Sequence, residues 1–278
     1  LVGKIKNLAL MTSKLYSLSK RHNVDVLIGL ASAPISYASK LLSKKSIILD
    51  DTEHSKLEIF LYRFFAREII TPFSFTKKLG PSQIFYRGYH ELAYLHPNYF
   101  APNSDIFNIL KINKNERFAL IRFVSWDANH DANSRGLSNS DKIELVKKLS
   151  SHCKVYITSE SELPLPLDKY RVKISLNKIH DLIYHASIVV TEGATMASES
   201  AILGTPAIYV NPLVLGYLEN QEKNYDLIYN FRNFNGVINK AETILCNLKY
   251  KDLKRKKAKK LVSESIDLTN LIVERIIN

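Results

Sequence analysis

The chain has 278 residues, is 46% hydrophobic and carries a formal net charge of +12, a composition that excludes a disordered polar chain and suits one large or two medium α/β domains. No apolar run reaches the roughly 18 to 20 residues needed to cross a bilayer, and the opening LVGKIKNLAL lacks the layout of a secretory signal, so a cytoplasmic protein is expected. Cys153 and Cys246 stand far apart and without metal-ligand spacing, which points to two buried thiols rather than a disulfide framework or a zinc site.

The chain opens without Met on a helical pattern, Ile5, Leu8, Ala9, Met11, Leu15 and Leu18, and reads as though residues are missing upstream. From Val24 short β-rich runs alternate with helical ones. VDVLIGL is followed by a helix over about 34–42, KSIILD by a helix over about 55–66, then come EIIT with Pro72 and QIFY. Strand and helix in succession predict a parallel sheet covered on both faces. Pro34 suits a first helical turn, where its missing donor costs little.

Residues 94–115 break this rhythm with prolines and asparagines and predict a domain crossover near 103–115. The rhythm restarts with RFALIRF, a helix over about 140–150, CKVYIT, RVKIS, a helix over about 178–185, SIVVT, a helix over about 195–203, and PAIYV. Two doubly wound domains are therefore expected, 1–108 and 109–248, with a basic helix over 249–278. Ligands of such folds bind outside the carboxyl ends of the strands, in the cleft between the domains, so the post-strand loops are the places to look.

In SIVVTEGATMASES, Gly193 and Ala194 make a small-residue turn and Thr195 is placed to cap a helix whose free N–H groups and dipole suit a diphosphate. Glu199, one turn in on the same face, could accept from ribose hydroxyls. The alternative is a plain N-cap with an acid complementing the dipole. After KSIILD, the loop Asp50 to His54 offers Glu53 and His54 as a general base, or Asp51 and Thr52 as helix caps. Arg122, at the end of RFALIRF, could meet a diphosphate, and the polar loop with Asp127, His130 and Asp131 could meet the sugar or base. Their spacing matches no metal pattern, and no metal is expected.

The basic run KYKDLKRKKAKK from Lys249 to Lys260 could be a solvated helix face or a contact to anionic lipid head groups, which allows a membrane-peripheral protein. Nucleic-acid binding is not expected, because no aromatic-basic interleaving or reading motif accompanies the charge.

EGATMASESAILGTPAIYVN resembles the strand-turn-helix of GT-B nucleotide-sugar enzymes, including UDP-N-acetylglucosamine 2-epimerases, through Glu199, Gly204 and Pro206. In those epimerases an Asp-Ser-Gly-Gly-x-x-Glu-Glu pattern ends in a ribose-binding Glu that falls on Glu199, whereas Glu192 and Gly193-Ala194-Thr195 depart from it. Their His-Val-Glu-Ala-Gly-Leu-Arg loop carries a catalytic Glu that falls on Glu53. DDTEH, AYLHPNYF, IRFVSWDANHD, KIHDLIYHAS and EGATMASESAILGTPAIYVN together resemble an uncharacterised family of predicted archaeal and bacterial glycosyltransferases, to about residue 235. The resemblance implies a GT-B fold lacking its first βα unit here, with His180 and Asp181 near the base end of the nucleotide. It also implies UDP as the nucleotide, no cofactor, and transfer of a sugar to an unknown acceptor in surface polysaccharide or glycoconjugate synthesis. A 2-epimerase and a non-catalytic nucleotide-binding fragment are the alternatives.

Overall fold

The computed structural model describes residues 2–125 and 136–278, which divide into two compact units. Unit 1 holds Leu1–His90, Leu215–Tyr217 and Ile266–Asn278. Its elements are α1 (Val2–Arg21), β1 (Val26–Leu30), α2 (Ala33–Leu42), β2 (Lys45–Leu49), α3 (Lys56–Tyr62), β3 (Glu68–Pro72) and β4 (Gln83–Tyr86). The four strands lie in the order β1-β2-β3-β4, all parallel. Helices on both faces explain why the apolar residues of KSIIL and EIITP are consecutive rather than alternating. Ile47, Ile48, Ile69 and Ile70 at their centre are fully buried. A Cβ at Gly29 would sit 2.4 Å from Ile35 Cδ1, so a larger residue there would displace the end of that side chain.

Unit 2 holds Glu91–Val214 and Leu218–Ser265. Its elements are α4 (Leu92–Leu95), α5 (Ile106–Leu110), β5 (Phe118–Phe123), α6 (Asn139–Ser150), β6 (Lys154–Ser159), α7 (Ile179–His185), β7 (Ile188–Thr191), α8 (Ala194–Ile202), β8 (Ala207–Val210), α9 (Gly216–Lys223, from Leu218 onward), β9 (Ile228–Phe231), α10 (Val237–Cys246) and α11 (Tyr250–Ser263). The parallel sheet runs β6-β5-β7-β8-β9. Chain order reverses at β5, which is flanked by β6 on one side and β7 on the other, so the switch point lies between the carboxyl ends of β5 and β7. α6 begins in a capping box, Ser138 Oγ accepting from the Asp141 N–H at 3.1 Å and the Asp141 carboxylate from the Ser138 N–H at 3.1 Å.

Four expectations need correction. The units divide at His90–Glu91, not near residue 108, because Glu91, Leu92 and Leu95 are buried and the Asn103 N–H donates to Asp181 at 2.7 Å within unit 2. The basic C-terminal stretch is two helices, α11 and α12 (Leu268–Ile277). Asp267 starts α12 by accepting the Asn270 N–H at 3.2 Å, and α12 belongs to unit 1. RVKIS forms no strand; it makes one bridge, Ile157 to Arg171, between two 3-10 turns. Cys246 is exposed, whereas Cys153 is half-buried and its thiol is pushed up to about 11 by burial.

Candidate functional site

At the switch point of unit 2, Arg122 on β5 lies in register with Thr191 on β7. The chain leaves β7 through Glu192 and Gly193, whose extended backbone (φ −93°, ψ 124°) makes it the N-cap of α8. The Gly193 N–H donates to Thr191 Oγ1 at 2.9 Å. A Cβ on Gly193 would come within 3.3 Å of Val124 Cγ1, a tight approach, and 4.0 Å of Arg122 Nε, which places the guanidinium beside the start of the helix. The first amides of a helix have no intrahelical acceptor and sit at its positive end. Here they belong to Ala194, Thr195 and Met196. Thr195 is exposed and one position inside the helix, so Gly193, not Thr195, is the cap.

Arg122 is ion-paired with Glu160, which also accepts the Ser125 N–H at 3.1 Å. Both partners are partly exposed, so an incoming phosphate can compete for the guanidinium at modest cost. Glu192 is fully buried and accepts the N–H groups of Val124 (3.2 Å) and Leu137 (2.7 Å), while Asn211 Nδ2 donates to its carbonyl at 3.0 Å. Its carboxylate thereby holds the two chain ends that flank residues 126–135. Asp127, His130 and Asp131 lie outside the described residues.

One turn into α8, Glu199 is buried and accepts from Tyr94 Oη (2.9 Å) and pairs with His180 Nε2 (3.0 Å). The rings of Tyr94, tilted by 33°, and Phe100, edge-on at 81°, stand 5.4 and 5.9 Å from that of His180 and make an aromatic wall beside the carboxylate. Asp181 accepts the Asn103 backbone N–H at 2.7 Å and pairs with Lys178 at 3.5 Å. Gly193, Ala194, Thr195, Glu199, His180 and Arg122 are thus all placed around β5, β7 and α8. Tyr94 was not read as part of this group, since nothing in AYLHPNYF marks it locally; only the packing of α4 against α8 brings it in.

The DDTEH loop of unit 1 follows β2. Asp50 is buried and accepts from Tyr62 Oη at 2.5 Å and the Thr52 N–H at 2.9 Å; burial raises its carboxyl above the usual range. Asp51 pairs with His90 Nδ1 at 3.1 Å, and although burial opposes it, that hydrogen bond and charge hold its carboxyl low. Among the described residues His90 Nε2 is buried without a hydrogen-bond partner, and the contact at Nδ1 orients an imidazole that sequence spacing gave no reason to join to Asp51. Glu53 is buried, accepts the N–H groups of Thr76 (3.3 Å) and Gly216 (3.5 Å), and its backbone carbonyl accepts from Lys77 Nζ. Burial pushes the Glu53 carboxyl up. Gly216 is a close-approach glycine, since a Cβ would lie 2.4 Å from both Glu53 Oε1 and the Ser74 carbonyl. His54 sits half-buried in the turn before α3, and Ser55, not Asp51 or Thr52, occupies the N-cap of that helix.

Two Rossmann-like units with these parallel sheets define a GT-B fold. The structure is similar to a Staphylococcus aureus MnaA–UDP co-structure (TM-score 0.67, 12% identity, covering 98% of this chain and 80% of that one). It is also similar to the UDP-GlcNAc 2-epimerase of Neisseria meningitidis bound to UDP-GlcNAc (0.66, 11%, 97% and 81%). A third similar structure is the spinosyn forosaminyltransferase SpnP (0.54, 10%, 96% and 80%). No curated protein matches the sequence. Residues 5–278 match the family described as Protein of unknown function (DUF354), and the chain belongs to that family.

Proposed function

We propose that unit 2 binds the nucleoside diphosphate of a nucleotide sugar, UDP-linked, and that the protein is a glycosyltransferase acting in surface polysaccharide or glycoconjugate synthesis. The observation that carries this reading is the convergence, at the β5/β7 switch point, of Arg122 and the α8 N-terminus, with the Glu199–His180 pair one turn further along. The diphosphate would sit on the α8 amides with Arg122 exchanging Glu160 for a phosphate oxygen, and Glu199 would accept the ribose hydroxyls. The aromatic wall of His180 and Tyr94 would flank the nucleoside. In the reaction the same amides and guanidinium would stabilise charge developing on the leaving diphosphate. Glu53, whose raised carboxyl is a stronger base than an exposed one, would deprotonate the acceptor hydroxyl, with His54 beside it. Asp127, His130 and Asp131 would contact the sugar. No metal or cofactor is required by this scheme.

The Asp51–His90 pair supports a second reading, a sugar 2-epimerase, because elimination and re-addition at a sugar ring need several proton-moving groups. The two readings separate in one experiment. The protein is incubated with UDP-GlcNAc in deuterium oxide and followed by NMR. Deuterium at C2 of the sugar without any acceptor identifies an epimerase; sugar transfer only on adding an acceptor, with protium kept at C2, identifies a transferase. Calorimetric titration of UDP, GDP and CMP tests the site itself. Binding of UDP that Glu199→Ala abolishes is expected, and no binding by any nucleotide to the folded protein would overturn the reading.

A further inference from the structure

A pocket in unit 2 lies on the side of α8 that leads to α11. α8 is followed by Gly204, which turns the chain at φ +71°, and a Cβ there would stand 2.8 Å from Arg255 Cα and 3.3 Å from Ala258 Cβ. The bare glycine therefore lets α11 lie directly on the end of α8 and fixes where its side chains emerge. Arg255 stacks over Tyr184, its guanidinium 4.3 Å from the ring centroid, and its Nε is buried with no hydrogen-bond partner among the described residues. Beside it opens a pocket of about 380 Å³, walled by Leu95, Phe100, Ile202, Leu203 and Val262, with Arg255 and the exposed Lys259 as its cations. That volume falls within the range of small-molecule sites.

The charge on α11 is unevenly answered. Lys254 and Lys257 pair with Asp226, and Lys260 reaches Glu264. Lys251, Arg255 and Lys259, spaced four apart on one stripe, have no carboxylate within ion-pair distance among the described residues. Like charges at this spacing repel. Burial and the neighbouring Arg255 push the Lys251 ammonium down to about 7. An apolar pocket edged by an uncompensated cationic stripe matches a ligand that is apolar at one end and anionic at the other.

We propose that this pocket binds a single-chain anionic amphiphile, its hydrocarbon chain among Leu95, Phe100, Leu203 and Val262 and its phosphate or carboxylate on Arg255 and Lys259. The site is independent of the nucleotide reading. It gives the basic segment a chemical role narrower than general attraction to a charged surface.

The test is calorimetric titration of decyl phosphate below its micelle concentration, against inorganic phosphate as the head alone and decyl maltoside as an uncharged tail. Decyl phosphate should bind at least about tenfold more tightly than either control. Val262→Trp, which fills the pocket, should abolish that binding. Lys259→Glu, on an exposed position that leaves folding intact, should weaken it about tenfold or more. Decyl phosphate binding no better than the controls, or unchanged in Lys259→Glu, overturns the proposal. Sedimentation with phosphatidylcholine vesicles, with and without phosphatidylglycerol, then identifies the source. Capture that depends on phosphatidylglycerol and is lost in Val262→Trp assigns a bilayer lipid. Tight decyl phosphate binding without vesicle capture assigns a free amphiphile. Capture that Val262→Trp leaves intact shows that surface charge alone acts, and overturns the pocket.

Discussion

Glu199 is met by Tyr94 Oη and His180 Nε2, and hydroxyls of a ligand that took the place of these two donors would keep its carboxylate hydrogen-bonded. Glu199→Gln keeps the shape and removes the charge. It should weaken UDP by roughly 1.5–3 kcal/mol, the range for hydrogen bonds to charged groups, while the melting temperature moves little; equal UDP affinity in calorimetry would dissociate Glu199 from the nucleotide. Gly204 is a residue of the opposite kind, where shape alone matters. Gly204→Ala would force a Cβ into the left-handed region and against the α11 backbone. The expected loss, about 2–4 kcal/mol in urea denaturation, combines the left-handed penalty with overpacking. Both residues were readable in the sequence, one as an acid a turn inside a helix and the other as a glycine just after it. Tyr94 and His90 were not, because each reaches its partner through packing between elements far apart in the chain.

Elements were legible where their pattern answers to one environment. β2, β3, β5, β7 and β8 each carry consecutive buried apolar residues, as in Ile47–Leu49, Ile69–Ile70, Phe118–Ile121, Ile188–Val190 and Ala207–Val210, because helices cover both faces of each sheet. β9 escaped notice because an edge strand with one buried residue of four carries no such run. RVKIS has the composition of a strand, but the sheet already ends at β6, and only one bridge forms. The C-terminal stretch looked like one helix because basic and apolar spacings run on through it, and the single signal against that was Asp267 as a cap. Within α11, Lys251 is charged in the unfolded chain to about pH 10.4 but has its ammonium pushed down to about 7 in the fold. A depressed cation costs stability at all pH values below its folded pKa, and the cost shrinks as pH rises toward the unfolded one. Lys251→Met should therefore raise the melting temperature more at pH 6 than at pH 9. An equal shift at both values would show that the ammonium is solvated in the folded state.

For the whole chain, net charge and connectivity act on different quantities. A charge of +12 draws anions of any kind, so affinity for UDP should fall with added salt whether or not the site is specific, and salt dependence alone cannot identify the ligand. Localisation of the stabilisation can. Unit 1 and unit 2 each bury their own sheet under their own helices, and the proposed nucleotide contacts all come from β5, α4, α7 and α8 of unit 2. A ligand at 100 times its Kd stabilises the state it binds by about 2.7 kcal/mol. At about 2–4 °C per kcal/mol for a chain region of this size, the thermal transition that reports unit 2 should rise by about 5–10 °C with UDP. Native-state hydrogen exchange resolves where that energy goes: amides at the start of α8 and along β5 and β7 should slow, while those of β1 to β4 keep their rates. In Glu199→Ala both effects should disappear. Slowing confined to α11 instead would mean that the diphosphate had found the cationic stripe by charge alone, and the β5/β7 junction would lose its claim to be the nucleotide site.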